Sequence, residues 1–290
     1  MNTKKQVSQI VIAAAPHMVG DGFRVQSTLP GGTRSENNVI SPFIMMDYAA
    51  PNYIPPSPRP RGVGEHPHKG FETVTIVYQG ELEHRDSTGS HGYLFPGDVQ
   101  WMTAAGGILH EEKYSEAFTK TGGKAEFAQL WVNLPKAFKN NPPAYQNLTK
   151  ADIPVIKVGA EGYVRVIAGE YAGVKGAATT FSPVNVLDVH LKKDDSITLQ
   201  IPEYFNAAAV VFQGEVDING QSVKAVETAL FEKNGTEVTI TALKDTAMIV
   251  LSGEPIDEPI FAYGPFVMNT EEDIRTAIND YNAGKWGQLR

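Results

Sequence analysis

The run from Glu65 to Glu112, EHPHKGFETVTIVYQGELEHRDSTGSHGYLFPGDVQWMTAAGGILHEE, decides the fold. It holds two β-rich segments broken at Gly80, then the turn Pro96-Gly97-Asp98 and another apolar run. Alternating apolar and β-branched residues between turn signals read as short strands. Working outward, the same rhythm continues in VRVIAGEY, TFSPVNVLDVHL, AAAVVFQGEVDING, ALFEKNGTEVTITA and AMIVLSGEP. Turns every 8–12 residues or so point to an all-β sandwich or barrel. The 27 glycines and 19 prolines supply those turns. Helix is expected only near the C-terminus: Asn269 or Thr270 caps EEDIRTAINDYNAG, with acids in the first turn and Gly284 past the end.

The stretch also repeats itself. Val77-Tyr78-Gln79-Gly80-Glu81-Leu82 returns as Val211-Phe212-Gln213-Gly214-Glu215-Val216, an offset of 134, and the segment at Asp98 returns near Glu227 at 129. Two copies of one small β-barrel are expected. The Pro-rich stretch over residues 136–154 reads as the connection. The expected domains are 1–138 and 139–290.

Ligand types are dense here. On a strand, residues i and i+2 share a face. His66 and His68 therefore aim at one point, and His110 and Glu112 do the same while Glu111 turns away. Glu72, four residues after His68, joins that face if no bulge intervenes. Three imidazoles and a carboxylate suit Fe(II), Mn, Ni, Cu or Zn. His17, His84 and His91 read as surface histidines.

Composition excludes other classes. Net charge is −8 with a pI near 5.4, against the basic face that phosphate binding requires. No stretch approaches the ~18 apolar residues of a membrane span. The first residues read as a strand, not a signal peptide. There is no cysteine, hence no disulfide or thiolate site, which fits a reducing, cytoplasmic setting.

The pattern HxHxxxE followed by GxxHxE resembles the cupin superfamily. The longer strings HPHKGFETVTIVYQGELEHRDSTG, PGDVQWMTAAGGILHEE, Gln129-Leu130-Trp131-Val132-Asn133-Leu134-Pro135 and Gly264-Pro265-Phe266-Val267-Met268-Asn269-Thr270 resemble the pirin family over nearly the whole chain. That resemblance implies two cupin barrels face to face, with the C-terminal helix returning to the first. It also implies one divalent metal in the first barrel, held by His66, His68, His110 and Glu112. Iron(II) is the first candidate and Mn, Co, Ni, Cu or Zn the others. Glu72 becomes a pocket residue. On the repeat offsets, His66 and His68 map to Gln200 and Pro202, and His110 and Glu112 to Thr239 and Thr241, so the second barrel is expected to hold no metal. Lys69 and Glu111 depart from the family pattern.

The function implied by the resemblance is a quercetin 2,3-dioxygenase that opens a flavonol with O2 and releases CO, with Glu112 as general base. Phe43, Met45, Phe71, Trp101 and Met102 are the expected pocket walls. The alternative it implies is a non-enzymatic, redox-sensing regulator that binds a protein partner. Expected partners are a small phenolic substrate, O2 and at most a protein, with no direct nucleic-acid or membrane contact, in a monomer.

Overall fold

Turn glycines mark where each barrel's strands reverse. Gly80 and Gly214, the same place in the two repeats, have φ of +86° and +87°. A Cβ on Gly214 would stand 2.3 Å from the Asp245 carbonyl oxygen, so only glycine fits this reversal. The computed structural model describes residues 3–30 and 40–289 and shows a mostly β chain built as two cupin barrels.

Each barrel consists of a large sheet and a smaller one. The first large sheet runs Ala144–Leu148, Val99–Thr103, Phe71–Gln79, Gly123–Asn133, Phe43–Ile54, Phe23–Ser27, His17–Val19. Its small sheet runs Gly62–His68, Ile108–Tyr114, Leu82–Asp86, His91–Leu94. The second large sheet runs Val7–Ile12, Glu227–Phe231, Asn206–Gln213, Thr246–Gly253, Val184–Leu191, Gly162–Ala168, Val155–Val158. Its small sheet runs Ser196–Gln200, Glu237–Ala242, Glu215–Ile218, Gln221–Lys224. The orders correspond position by position, so the sequence repeat is a repeat of topology.

The edge strands cross the expected division of the chain. Val7–Ile12 pairs with Glu227–Phe231 of the second sheet, and Ala144–Leu148 pairs with Val99–Thr103 of the first. Each barrel's outermost strand thus comes from chain lying before or after the other barrel's strands. The exchange laces the two together through backbone hydrogen bonds.

The large sheets pack against each other. Met46, Tyr48, Val74, Ile76, Trp101 and Leu130 share one buried cluster with Val186, Val210, Phe212 and Leu251. The interior of the second barrel is a separate aliphatic cluster.

The helix Glu271–Asn282 forms as expected. Thr270 is its cap, the hydroxyl accepting from the Asp273 N–H at 3.1 Å. Ile274 and Ala277 are buried with Phe266 and Met268, and Phe266 bridges to Lys69 of the first barrel. A short helix, Glu116–Thr121, was not expected; Ser115 caps it by accepting from the Phe118 N–H. Six residues between two strands give too little periodicity to read in advance. None of the described helices is long and apolar enough to cross a membrane.

Candidate metal centre

The site lies where the strands Gly62–His68 and Ile108–Tyr114 pair antiparallel. His110 stands opposite His66, and Ile108 opposite His68. One extra residue bulges the first of these strands between Val63 and His66, whereas Ile108–Tyr114 runs in regular register with Leu82–Asp86. His66, His68 and His110 each bring a ring nitrogen to within 4.8 Å of the others.

The hydrogen bonds around these rings set their tautomers. His66 Nδ1 is 2.8 Å from the Gly64 carbonyl oxygen, and His68 Nδ1 is 3.5 Å from that of Pro265. A carbonyl oxygen only accepts, so these contacts favour the tautomer with the proton on Nδ1 and the lone pair on Nε2. Those two Nε2 atoms face each other at 3.2 Å. His110 is fully buried, and neither of its ring nitrogens has a partner. Burial first, then the neighbouring imidazoles, holds His68 and His110 well below the usual imidazole range. Three imidazoles whose ring nitrogens converge are a donor set that fits a divalent transition metal.

Glu112 lies on the inward face, two residues from His110. Its Oε1 accepts from the Thr75 hydroxyl at 3.0 Å and Gln100 Nε2 at 3.1 Å, and its Oε2 from Gln129 Nε2 at 2.6 Å. Its oxygens group with His84 and His110 rather than with His66 and His68.

His84 is thus a site residue that the sequence reading placed on the surface. It is fully buried, its Nε2 bonded to Asp86 Oδ2 at 3.0 Å, its ring stacked on Tyr145 at 4.8 Å, and its Nδ1 unpartnered. A signal was present: Leu82, His84 and Asp86 alternate inward, while Glu83 and Arg85 bond to each other. His17 and His91 are exposed, as expected. Thr75, Gln100 and Gln129, which hold Glu112, were also missed.

Glu111 turns outward and pairs with Lys113. Glu72 does not join the site. The chain turns at Lys69 and Gly70, with Gly70 at φ +89°, and the new strand restarts the alternation. Phe71 and Thr75 then face the histidines and Glu112, while Glu72 shares its face with Val74 and Ile76, toward the second barrel. Its Oε1 accepts from the Thr103 hydroxyl at 2.7 Å, and burial raises its pKa to about 7.

Among the expected walls, Phe71 meets His68 edge-on, its ring 5.0 Å away, and Trp131 joins it at 5.1 Å. Phe43 and Trp101 lie instead in the cluster between the barrels, and Met102 packs on Ala104 and Ile108. Lys139 secures the turn after His68. Its Nζ donates to the Gly70 and Val267 carbonyls and to Asn133 Oδ1, at 2.6, 2.8 and 2.6 Å.

The second barrel has the same frame and a different filling. With Gly80 set on Gly214, His84 corresponds to Ile218. Cross-strand pairing then carries Glu112 to Ile240, His110 to Val238, His66 to Leu199 and His68 to Ile201. All five are buried aliphatics. The repeat offsets had pointed one residue away, to Gln200, Pro202, Thr239 and Thr241. A one-residue slip selects the opposite face of a strand.

Comparisons with known proteins agree along the chain. The family model described as Pirin matches residues 22–132, and that described as Pirin C-terminal cupin domain matches residues 186–287. A Pseudomonas aeruginosa relative, provisionally named a quercetin 2,3-dioxygenase, is 50% identical over 97% of this chain and 98% of its own. Pirin-like protein 2 of Arabidopsis thaliana is 38% identical over 92% of this chain and 81% of its own. The crystal structure of quercetin 2,3-dioxygenase from Acinetobacter baumannii superposes with a TM-score of 0.95 at 46% identity, covering 99% of this chain and 100% of that one.

Proposed function

The chain belongs to the pirin family, and from that membership we propose that it is a metal-dependent dioxygenase that cleaves a flavonol such as quercetin. The flavonol's central ring takes up both atoms of O2, opens, and loses one carbon as CO. One observation carries the reading: the Nε2 atoms of His66 and His68 face each other at 3.2 Å, with both Nδ1 atoms turned to carbonyls. Two lone pairs so close repel unless a cation or proton lies between them. The relatives named for this activity add support.

His66, His68 and His110 would hold the ion, with Glu112 as fourth ligand and base; iron(II) is our first choice of metal. Once bound, such an ion supplies Lewis acidity at an acidic substrate oxygen and a redox partner for dioxygen. The protein's own part is proton transfer and positioning. Glu112 takes the proton of the flavonol 3-hydroxyl, leaving the electron-rich flavonolate to react with O2. Thr75, Gln100 and Gln129 hold its carboxylate by three donated bonds. Phe71 and Trp131 present flat apolar surface next to His68.

The test is loss of the quercetin absorbance in air, with protein loaded separately with Fe, Mn, Co, Ni and Cu. Turnover proportional to metal content is expected. No turnover with any of the five would overturn the reading in favour of a binding protein.

A further inference from the structure

The repeated strings meet in space. Tyr78-Gln79 and Phe212-Gln213 line one cavity of about 530 Å³ between the barrels, remote from the histidine cluster. An adjoining hollow of about 290 Å³ shares Tyr163, His190, Gln213 and Ala247 with it and reaches the exposed side chains of Lys192 and Asp245.

Two buried carboxylates line the cavity, and each already accepts three hydrogen bonds. Glu126 accepts from Tyr48, Gln79 and Gln213 at 2.6, 2.7 and 2.8 Å. Asp188 accepts from Arg165 Nε, His190 Nε2 and the Tyr78 hydroxyl at 2.7, 3.0 and 3.3 Å. Three donors on each leave about one acceptor site per carboxylate. The free donor capacity is larger. The Arg165 side chain is 7% exposed, and Nη1 reaches the Gly97 carbonyl, yet Nη2 is buried with no partner. A buried guanidinium nitrogen left unpaired is costly and asks for an acceptor. The Lys150 ammonium and the Tyr163 hydroxyl, on the same lining, also have no acceptor among the described residues.

The remaining walls are flat. Tyr163 stacks on His190 with centroids 4.7 Å apart, Phe212 stacks on Tyr48 at 4.1 Å, and Tyr78 meets Phe212 edge-on at 5.9 Å. Surplus N–H and O–H donors on Arg165, Lys150 and Tyr163, with the Lys150 charge unpaired among the described residues, lie beside aromatic faces in a volume typical of ligand sites and suit a planar anion. We propose that this cavity binds a small aromatic carboxylate, its ring against Tyr78, Tyr163 and Phe212 and its carboxylate against Arg165 and Lys150. The site is separate from the metal centre, and the inference does not depend on the dioxygenase reading.

Benzoate is the probe, titrated calorimetrically into the metal-loaded full chain. One saturable, roughly submillimolar site per chain is expected. Lys150→Glu, a change to an exposed side chain, should weaken it about tenfold or more through like-charge repulsion. Arg165→Gln should abolish it, and stripping the metal with chelator should leave it unchanged. Acetate, which has no ring, should bind far more weakly. No saturable binding up to ~20 mM, binding indifferent to Lys150→Glu, binding that vanishes with the metal, or acetate binding as well as benzoate would each overturn the proposal.

Discussion

The two barrels share one frame and differ in what fills it. In the first, His66, His68, His84, His110 and Glu112 turn inward, and Thr75, Gln100 and Gln129 hold the carboxylate. In the second, the same positions carry Leu199, Ile201, Ile218, Val238, Ile240, Ala209, Ala229 and Val250, all in one buried cluster. Eight polar side chains face eight aliphatic ones. An aliphatic interior is stabilised by burial alone, at about 25 cal/mol per Å². A polar interior must satisfy each buried group or leave it waiting for a ligand, as the two bare nitrogens of His110 show. The duplicated frame thus separates stability from chemistry: one barrel is a packed core and the other carries a site.

Converting the first barrel toward the second is the most direct test. His110→Val, copying Val238, should remove metal binding and all metal-dependent turnover, as read by metal analysis and flavonol consumption. Glu111→Gln, which alters only the outward pair with Lys113, should keep full metal content. If Glu111→Gln loses metal while His110→Val keeps it, the assignment of inward and outward faces is wrong.

Glu112→Gln, reloaded to equal metal content, should lose about 10²–10⁴-fold in rate, the usual worth of a general base. Part of the loss should return at higher pH, where the flavonol ionises unaided. Near wild-type turnover at equal metal content would make Glu112 a ligand only.

Glu72 corresponds to Asn206, which donates to the Ser41 carbonyl and cannot ionise. Burial raises the folded-state pKa of Glu72 to about 7, from 4.5. The sign follows. Below pH 4.5 the group is protonated in both states and costs nothing. Between 4.5 and 7 the unfolded chain releases the proton more readily, so stability falls as pH rises, by at most about 3 kcal/mol once above 7. Glu72→Gln should therefore be more stable than the parent at pH 8 and lose that advantage at pH 4. Denaturant unfolding at the two pH values measures this, and parallel curves would place Glu72 in a more solvated setting.

Gln129→Val, copying Val250, removes one donor to Glu112 and leaves the histidines in place. A loss of roughly 10–100-fold in metal affinity or rate is expected, typical of groups that orient a ligand. No change in either would mean that Thr75 and Gln100 suffice.

Much of this was legible from the chain alone. The repeat at Gly80 and Gly214, the strand rhythm, the Thr270 cap and the HxH and GxxHxE strings follow from local rules: a left-handed turn needs glycine, a helix start needs an acceptor, and alternate residues share a face. Those rules do not say which face of a strand turns inward. The turn at Lys69-Gly70 resets the alternation, so Glu72 faces away from the centre, and the pairing that sets His84 opposite Glu112 turns His84 toward it. The same one-residue ambiguity displaced the mapping onto the second barrel. The edge strand Val7–Ile12, paired with Glu227–Phe231, and a cavity lined by both repeats join residues more than a hundred positions apart. Alternation along a strand is a local property with a period of two. The choice between its two faces is made by the sheet packed against it, so only the tertiary structure decided it.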